Sequence, residues 1–178
     1  MDTKQLLDRY AAGTRDFSKV CLHQADLTGA NLSGANFSQA DLSGADLRNV
    51  DLTRTDLSQA NLTDADLSKA DLSGSNLSNV NLIAADLTQS SLVGANLTQA
   101  DMRSADLTQA DLQGANLSEA DLSGANLNQA NLLDTNLSGI DLSGVDLSGT
   151  DLSQARANHE IIYTGTSHQW ISWHGSQN

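Results

Sequence analysis

From Phe17 to Leu152 a leucine or an equivalent large apolar residue falls at every fifth position, through Leu22, Leu27, Leu32, Phe37 and Leu42, without a break in register. A period of five matches neither the 3.6 of a helix nor the 2.0 of a strand, so neither element keeps these side chains on one face. The chain must therefore turn once per unit. Each unit reads small residue, Asp or Asn, Leu, Ser or Thr, then a variable residue, as in Ala25-Asp26-Leu27-Thr28-Gly29. Ten of the thirteen glycines stand at the fifth position, where a type II turn needs φ > 0 at its second central residue. Four such corners close a loop, so four units predict a coil of twenty residues, and the repeat from Arg15 to Gln154 predicts about seven coils. Leucines twenty residues apart then stack in columns, and Phe17 stacks on Phe37.

The A-[DN]-L-x-x unit, carried across about four-fifths of the chain, resembles the consensus of the pentapeptide-repeat family. The opening Arg15-Asp16-Phe17-Ser18 after a short helix is similar to cyanobacterial members. The resemblance implies an all-β fold, a right-handed quadrilateral parallel β-helix, with the first and third residues of each unit inside and the other three outside. The residues agree independently, since most first positions are Ala and the rest largely Val, Thr, Ser or Ile, with only Arg15 unsuited to burial. A Ser-, Asn- and Gln-rich composition can also mean disorder. The unbroken register argues against it.

Ahead of the repeat, Thr3 to Ala12 predicts a short capping helix, with Asp2 or Thr3 as its cap and Gly13 beyond its end. Leu6, Leu7, Tyr10 and Ala11 share its apolar face. A solenoid needs such a cap because its terminal coil exposes an unpaired edge and an open core. A membrane-surface helix is the rival, weakened by the segment's shortness and mixed charge. After Gln154 the pattern decays, and residues 158–178 bring Ile161, Ile162, Tyr163, Trp170, Ile171 and Trp173. The organisation read from this is a capping helix over 1–14, a β-helix over 15–154 and a cap or tail over 155–178. Trp170, Ile171 and Trp173 are candidates for a lid on the last coil, or for a contact with a second copy; a lid leaves a monomer and a contact makes a homodimer through the carboxyl-terminal end.

Charge changes the picture from shape to surface. The repeat region carries nineteen acids and six bases, which alone accounts for the net charge of −13, and no Lys or Arg lies between Arg103 and Arg156. Laid four units to a coil, the second positions of one column read Asp26, Asp46, Asp66, Asp86, Asp106, Asn126 and Asp146, spaced by about 4.8 Å. These aspartates form a candidate acidic binding face, or merely a solvated one. Another column reads Asp16, Asn36, Asp56, Asn76, Asn96, Asn116 and Asn136. Stacked Asn can form amide ladders, whereas stacked Asp repel unless solvated, hydrogen-bonded to backbone or matched by cations.

This field disfavours direct binding to nucleic acid or an anionic membrane. A protein partner, basic or itself DNA-binding, suits it. The reading of function is a non-enzymatic scaffold presenting a rigid acidic rod. The alternative is a DNA-mimicking modulator of DNA gyrase or another topoisomerase, which the resemblance implies for some family members, although this chain lacks a loop interrupting its repeats.

Little else bears chemistry. His23, His159, His168 and His174 match no metal-ligand spacing, no nucleophile, base and acid stand at a catalytic spacing, and Cys21 has no partner for a disulfide. No catalytic residue, metal or cofactor is assigned. The amino terminus lacks a basic and apolar leader, and no apolar run of about twenty residues is present. The expected compartment is the cytoplasm.

Overall fold

The computed structural model describes residues 1–157. One helix, α1 (Thr3–Ala11), precedes the repeats. Its start is a capping box: the Asp2 carboxylate accepts from the Gln5 N–H, and the Gln5 side chain accepts from the Asp2 N–H. That arrangement satisfies two donors that a helix start otherwise leaves unpaired. Leu6 is wholly buried beneath α1, and the Tyr10 hydroxyl donates to the carbonyl of Ser33 at 2.8 Å. The Arg9 guanidinium lies over the Phe17 ring and the Arg15 guanidinium over the Tyr10 ring. The expected apolar face is therefore narrower than four residues. Leu7 is exposed, because only one row of the helix reaches the first coil.

Beyond α1 every pairing is a parallel bridge between second-position residues twenty apart, such as Asp16 with Asn36, Cys21 with Asp41 and Asn31 with Asp51. Four units therefore make one coil, and the chain stacks on itself as a four-sided solenoid. Each face is one bridge wide because a turn follows every third-position residue, its carbonyl accepting the N–H of the next first position, as from Phe17 to Val20. The fifth residue has positive φ in every unit from Lys19 to Gly149, and seventeen of these residues are not glycine. Glycine is thus favoured at the corner but not required. Some of the cost of left-handed Gln is offset by amide bonds between corners, Gln39 to Gln59, Gln89 to Gln109 and Gln109 to Gln129, at 2.9–3.1 Å.

Third-position side chains fill the interior. From Phe17 to Leu142 none is more than 3% exposed, and the rings of Phe17 and Phe37 stack at 5.4 Å with 18° between planes. First positions are buried too, except at Thr150 and in the opening coil, where Arg15 is exposed and Val20, Ala25 and Ala30 are partly so. Polar first residues keep their hydroxyls satisfied inside: Thr55, Ser75 and Ser90 each donate to a third-position carbonyl at 2.6–2.7 Å. A buried hydroxyl without such a partner costs roughly 1–3 kcal/mol.

The ladder is incomplete at its far end. Asn126 bridges Asp146 and Asn136 bridges Arg156, but the bridges expected between Asp121 and Asp141 and between Asn131 and Asp151 are absent among the described residues. At the intervening corner the Asp134 N–H donates to Gln154, one residue past the regular partner. Leu147 and Leu152 are half-buried where their counterparts are enclosed.

Candidate functional site

The backbone explains why the second position is Asp or Asn. In a regular coil four of the five N–H groups in a unit find a carbonyl: the first in the turn, the second on the preceding coil, the third and fifth on the following coil. The fourth N–H has no carbonyl. It donates instead to the Oδ1 of the second residue, at 2.8–3.4 Å, in every unit from Asp16 to Asp151 whose second residue is Asp or Asn. This is an Asx turn, for which carboxylate and carboxamide serve alike. The fourth-position hydroxyl often joins it, as Thr108 does to Asp106. The Asx bond therefore uses an acceptor oxygen that either side chain supplies, and the units of Cys21 and Ser91 pair without one.

Asp and Asn differ in what the second oxygen or nitrogen does between coils. On the face that begins at Asp16, the Nδ2 of each Asn points toward the preceding coil: Asn76 donates to Asp56 at 3.1 Å, Asn116 to Thr98 at 3.0 Å and Asn136 to Asn116 at 2.8 Å. The expected amide ladder is present. On the face that begins at Asp26, the bridges join Asp26, Asp46, Asp66, Asp86, Asp106, Asn126 and Asp146 in that order, so all six aspartates of the candidate acidic face lie in one column. Stacked carboxylates have no proton to share at neutral pH.

One cation breaks this column. Arg48 holds Asp46 with two bonds, at 2.6 and 2.8 Å, and reaches Asp66 at 3.7 Å. Its guanidinium keeps the Asp46 carboxyl at about 2, well below the usual carboxylate range. The Asp26 carboxyl is lowered chiefly by the Thr28 N–H, and that of Asp146 chiefly by the Ser148 hydroxyl. Arg103 plays the same part on an adjacent face, against Asp101 at 2.8 Å and Asp121 at 3.9 Å. Among the described residues, Asp86 and Asp106 have no basic side chain within ion-pairing distance. Spacing alone does not reveal the Arg48 clamp, although an Arg in a position usually held by Ser or Thr is its signal.

Elsewhere the His23 ring pairs with the Ser43 hydroxyl at 2.9 Å, and Cys21 is exposed. Among the described residues no group of three or more His, Cys, Asp or Glu side chains is placed to hold a metal. No described helix is long and apolar enough to cross a membrane. His159, His168, His174, Trp170, Ile171 and Trp173 lie outside the described residues.

A solenoid of five-residue units, its interior closed by leucine and its chemistry confined to flat outer faces, defines the class. The family model for pentapeptide repeats matches eight copies over residues 21–59, 40–79, 81–118 and 120–156, and the chain belongs to this family. Among solved structures it is similar to HetL, a pentapeptide repeat protein involved in heterocyst differentiation regulation from the cyanobacterium Nostoc sp. strain PCC 7120. Identity there is 31%, over 88% of this chain and 96% of that one, with a TM-score of 0.48. A pentapeptide repeat protein of the Arabidopsis thaliana thylakoid lumen is 27% identical over 74% of this chain and 70% of that one, with a TM-score of 0.40. QnrB1, a plasmid-mediated fluoroquinolone resistance protein, is 20% identical over 80% and 86%, also with a TM-score of 0.40. A comparison with curated proteins found no match.

Proposed function

We propose that this chain is a non-enzymatic, protein-binding scaffold: a right-handed rod of about seven coils over residues 15–154, capped by residues 1–14, that offers its acidic face to a basic protein. The observation that carries this reading is the mismatch between what the fold needs and what the face contains. An Asx turn needs only an oxygen, and Asn would add an inter-coil bond, yet Asp86 and Asp106 keep adjacent carboxylates that no base among the described residues pairs with. Charge retained against the interest of stability is charge available to a partner, where it steers encounter and selects for basic surfaces.

An affinity capture from bacterial lysate tests it, comparing the native chain with a variant carrying Asp86→Asn, Asp106→Asn and Asp146→Asn. The expected result is a basic protein held by the native chain at low salt and released both by high salt and by the variant. Identical capture by the two chains would remove the acidic face from the function.

A second reading, a DNA-mimicking modulator of gyrase or another topoisomerase, draws on the stretch between Arg103 and Arg156 that has no base at all. Titration of the purified protein into a supercoiling assay decides it. Inhibition, or protection of the enzyme from a quinolone, supports the mimic; neither effect at large molar excess eliminates it.

A further inference from the structure

We infer that the corner carrying Val93 and Leu133 is the seat of a basic amphipathic helix belonging to the partner, an inference that rests on the reading of this chain as a scaffold for a basic protein. Among the described residues three large apolar side chains are exposed: Leu7 on α1, and Val93 and Leu133 on the rod, the last two at 37% each. Both are fourth-position residues, in the turn that leads out of the face of Asp51, Asp71, Ser91, Asp111 and Asn131. Elsewhere the fourth position is polar, except at the half-buried Ile83 on another corner. The successive bridges from Ser91 to Asp111 and from Asp111 to Asn131 put Val93 and Leu133 two coils apart. That is about 10 Å along the axis, at about 4.8 Å per coil.

Charge and bulk are both missing beside these two residues. The second residue of Val93's unit is Ser91 and that of Leu133's unit is Asn131, so neither apolar side chain has a carboxylate in its own turn that docking would strip of water. At Ser91 the fold loses by this, because the Val93 N–H lacks the Asx acceptor that its counterparts have. Gly94 and Gly114 leave open space where a fifth-position side chain would stand, so another backbone can come close. An exposed valine in place of a hydroxyl does nothing for the solenoid itself. It does supply a contact.

Charge selects the occupant. Asp111 stands at the rung between the two apolar residues, with no base within ion-pairing distance among the described residues, and no Lys or Arg lies between Arg103 and Arg156. A second copy docked patch to patch would set Asp111 against Asp111 between two rods of net charge −13, and like charges so placed oppose association. A basic partner meets no such repulsion. Spacing selects the element. An extended strand rises about 3.3 Å per residue, so residues about 10 Å apart are i and i+3 and point to opposite sides. In a helix residues i and i+7 are about 10.5 Å apart on one face, with i+3 and i+4 between them, over Gln113 and Gly114. Lys or Arg on the flank of such a helix then meets Asp71 and Asp111.

The probe is a synthetic helical peptide of Leu and Lys with leucines at i, i+3 and i+7, and its control is a peptide of the same composition whose leucines share no face. Titrated at low salt into the isotope-labelled full chain, the amphipathic peptide should shift the amide resonances of Val93, Gln113 and Leu133 most, and the control should not. The double variant Val93→Ser, Leu133→Ser puts the ordinary fourth-position residue at two exposed sites, so the rod should fold as before while affinity for the amphipathic peptide falls about tenfold. Equal affinity of the two peptides, or of native chain and variant, would show that charge alone holds the peptide; it would overturn this inference and leave the scaffold reading standing. Failure of both readings would show instead as no binding of either peptide. A native dimer that the variant dissociates, read by sedimentation, would assign the patch to a second copy and overturn the inference as well.

Discussion

The face running from Asp16 to Asn136 and the face running from Asp26 to Asp146 share one backbone, one turn and one Asx bond per unit, and at four of their seven rungs they differ in a single side-chain atom. Where that atom is the Nδ2 of Asn, successive coils are tied together; where it is an oxygen of Asp, they are tied only by backbone, and once by Arg48. The contrast separates what the fold demands from what the surface carries. Any second residue with an acceptor oxygen builds the solenoid. The choice between amide and carboxylate then sets the charge pattern at a modest cost in stability.

The interior common to both faces gives the largest expected effect. Leu87 is wholly buried among leucines that offer a charge no partner, so Leu87→Asp should destabilise the rod by on the order of 5 kcal/mol. A melting temperature within a degree of the native value would contradict the inward placement. Next, Asn76→Asp, Asn96→Asp and Asn116→Asp together would turn the amide face into a carboxylate face. Three inter-coil bonds would be lost, and at about 1 kcal/mol each, with repulsion added, the expected loss is roughly 3–4 kcal/mol at low salt. Part of it should return at high salt. Thermal melts at two ionic strengths check both statements.

Acid should sharpen the same comparison. Asp46 has a folded value of about 2 against an unfolded value near 3.9, so its contribution is complete above about pH 4 and is lost as pH falls through 2. Asp26 and Asp146 are lowered as well, and their contributions are lost in the same direction. Melting temperature should therefore fall between about pH 4 and 2. The Arg48→Ala variant should raise the titration midpoint of Asp46, read by carboxyl NMR. A midpoint that stays near its native position would show that the guanidinium is not the cause.

A smaller effect is expected at Ser91, which interrupts the Asp and Asn sequence of its own face. Among the described residues the N–H of Val93 lacks the Asx partner that its counterparts have. Ser91→Asn would supply that acceptor, at the cost of the bond between the Ser73 and Ser91 hydroxyls, so a net gain of roughly 0.5 kcal/mol is expected. A loss of stability would mean that the hydroxyl pair outweighs the Asx turn.

Much of this architecture was open to inspection in the chain itself. The five-residue period, the four units per coil, the Phe17 and Phe37 stack and the membership of the acidic column all follow from translational symmetry, which converts sequence spacing directly into position. What escaped was of other kinds. Positive φ at Lys19, Arg54 and Glu119 is imposed by the neighbouring coils against local preference, and no single residue announces it. The Asx bond was hidden because Asp and Asn look like a choice about charge until the fourth N–H is found without a carbonyl. The Arg48 clamp depends on the reach of a flexible side chain, not on register. Leu7 shares a helix face with Leu6 by period, but the small end of the rod accommodates only one of them.

The central claim is that at Asp86 and Asp106 the fold uses the oxygen of the second residue and has no use for its charge. The most direct measurement is the stability of two double variants at Asp86 and Asp106, residues that bridge each other and cap the N–H groups of Thr88 and Thr108. Replacing both with Asn keeps each Asx acceptor and removes the repulsion, so the variant should be at least as stable as the native chain at low salt, with any gain shrinking at high salt. Replacing both with Ala removes the acceptors and should cost about 1 kcal/mol per site. If the Asn variant were destabilised as much as the Ala variant, the carboxylate charge would itself be part of the fold, and the acidic face could no longer be treated as surplus to it.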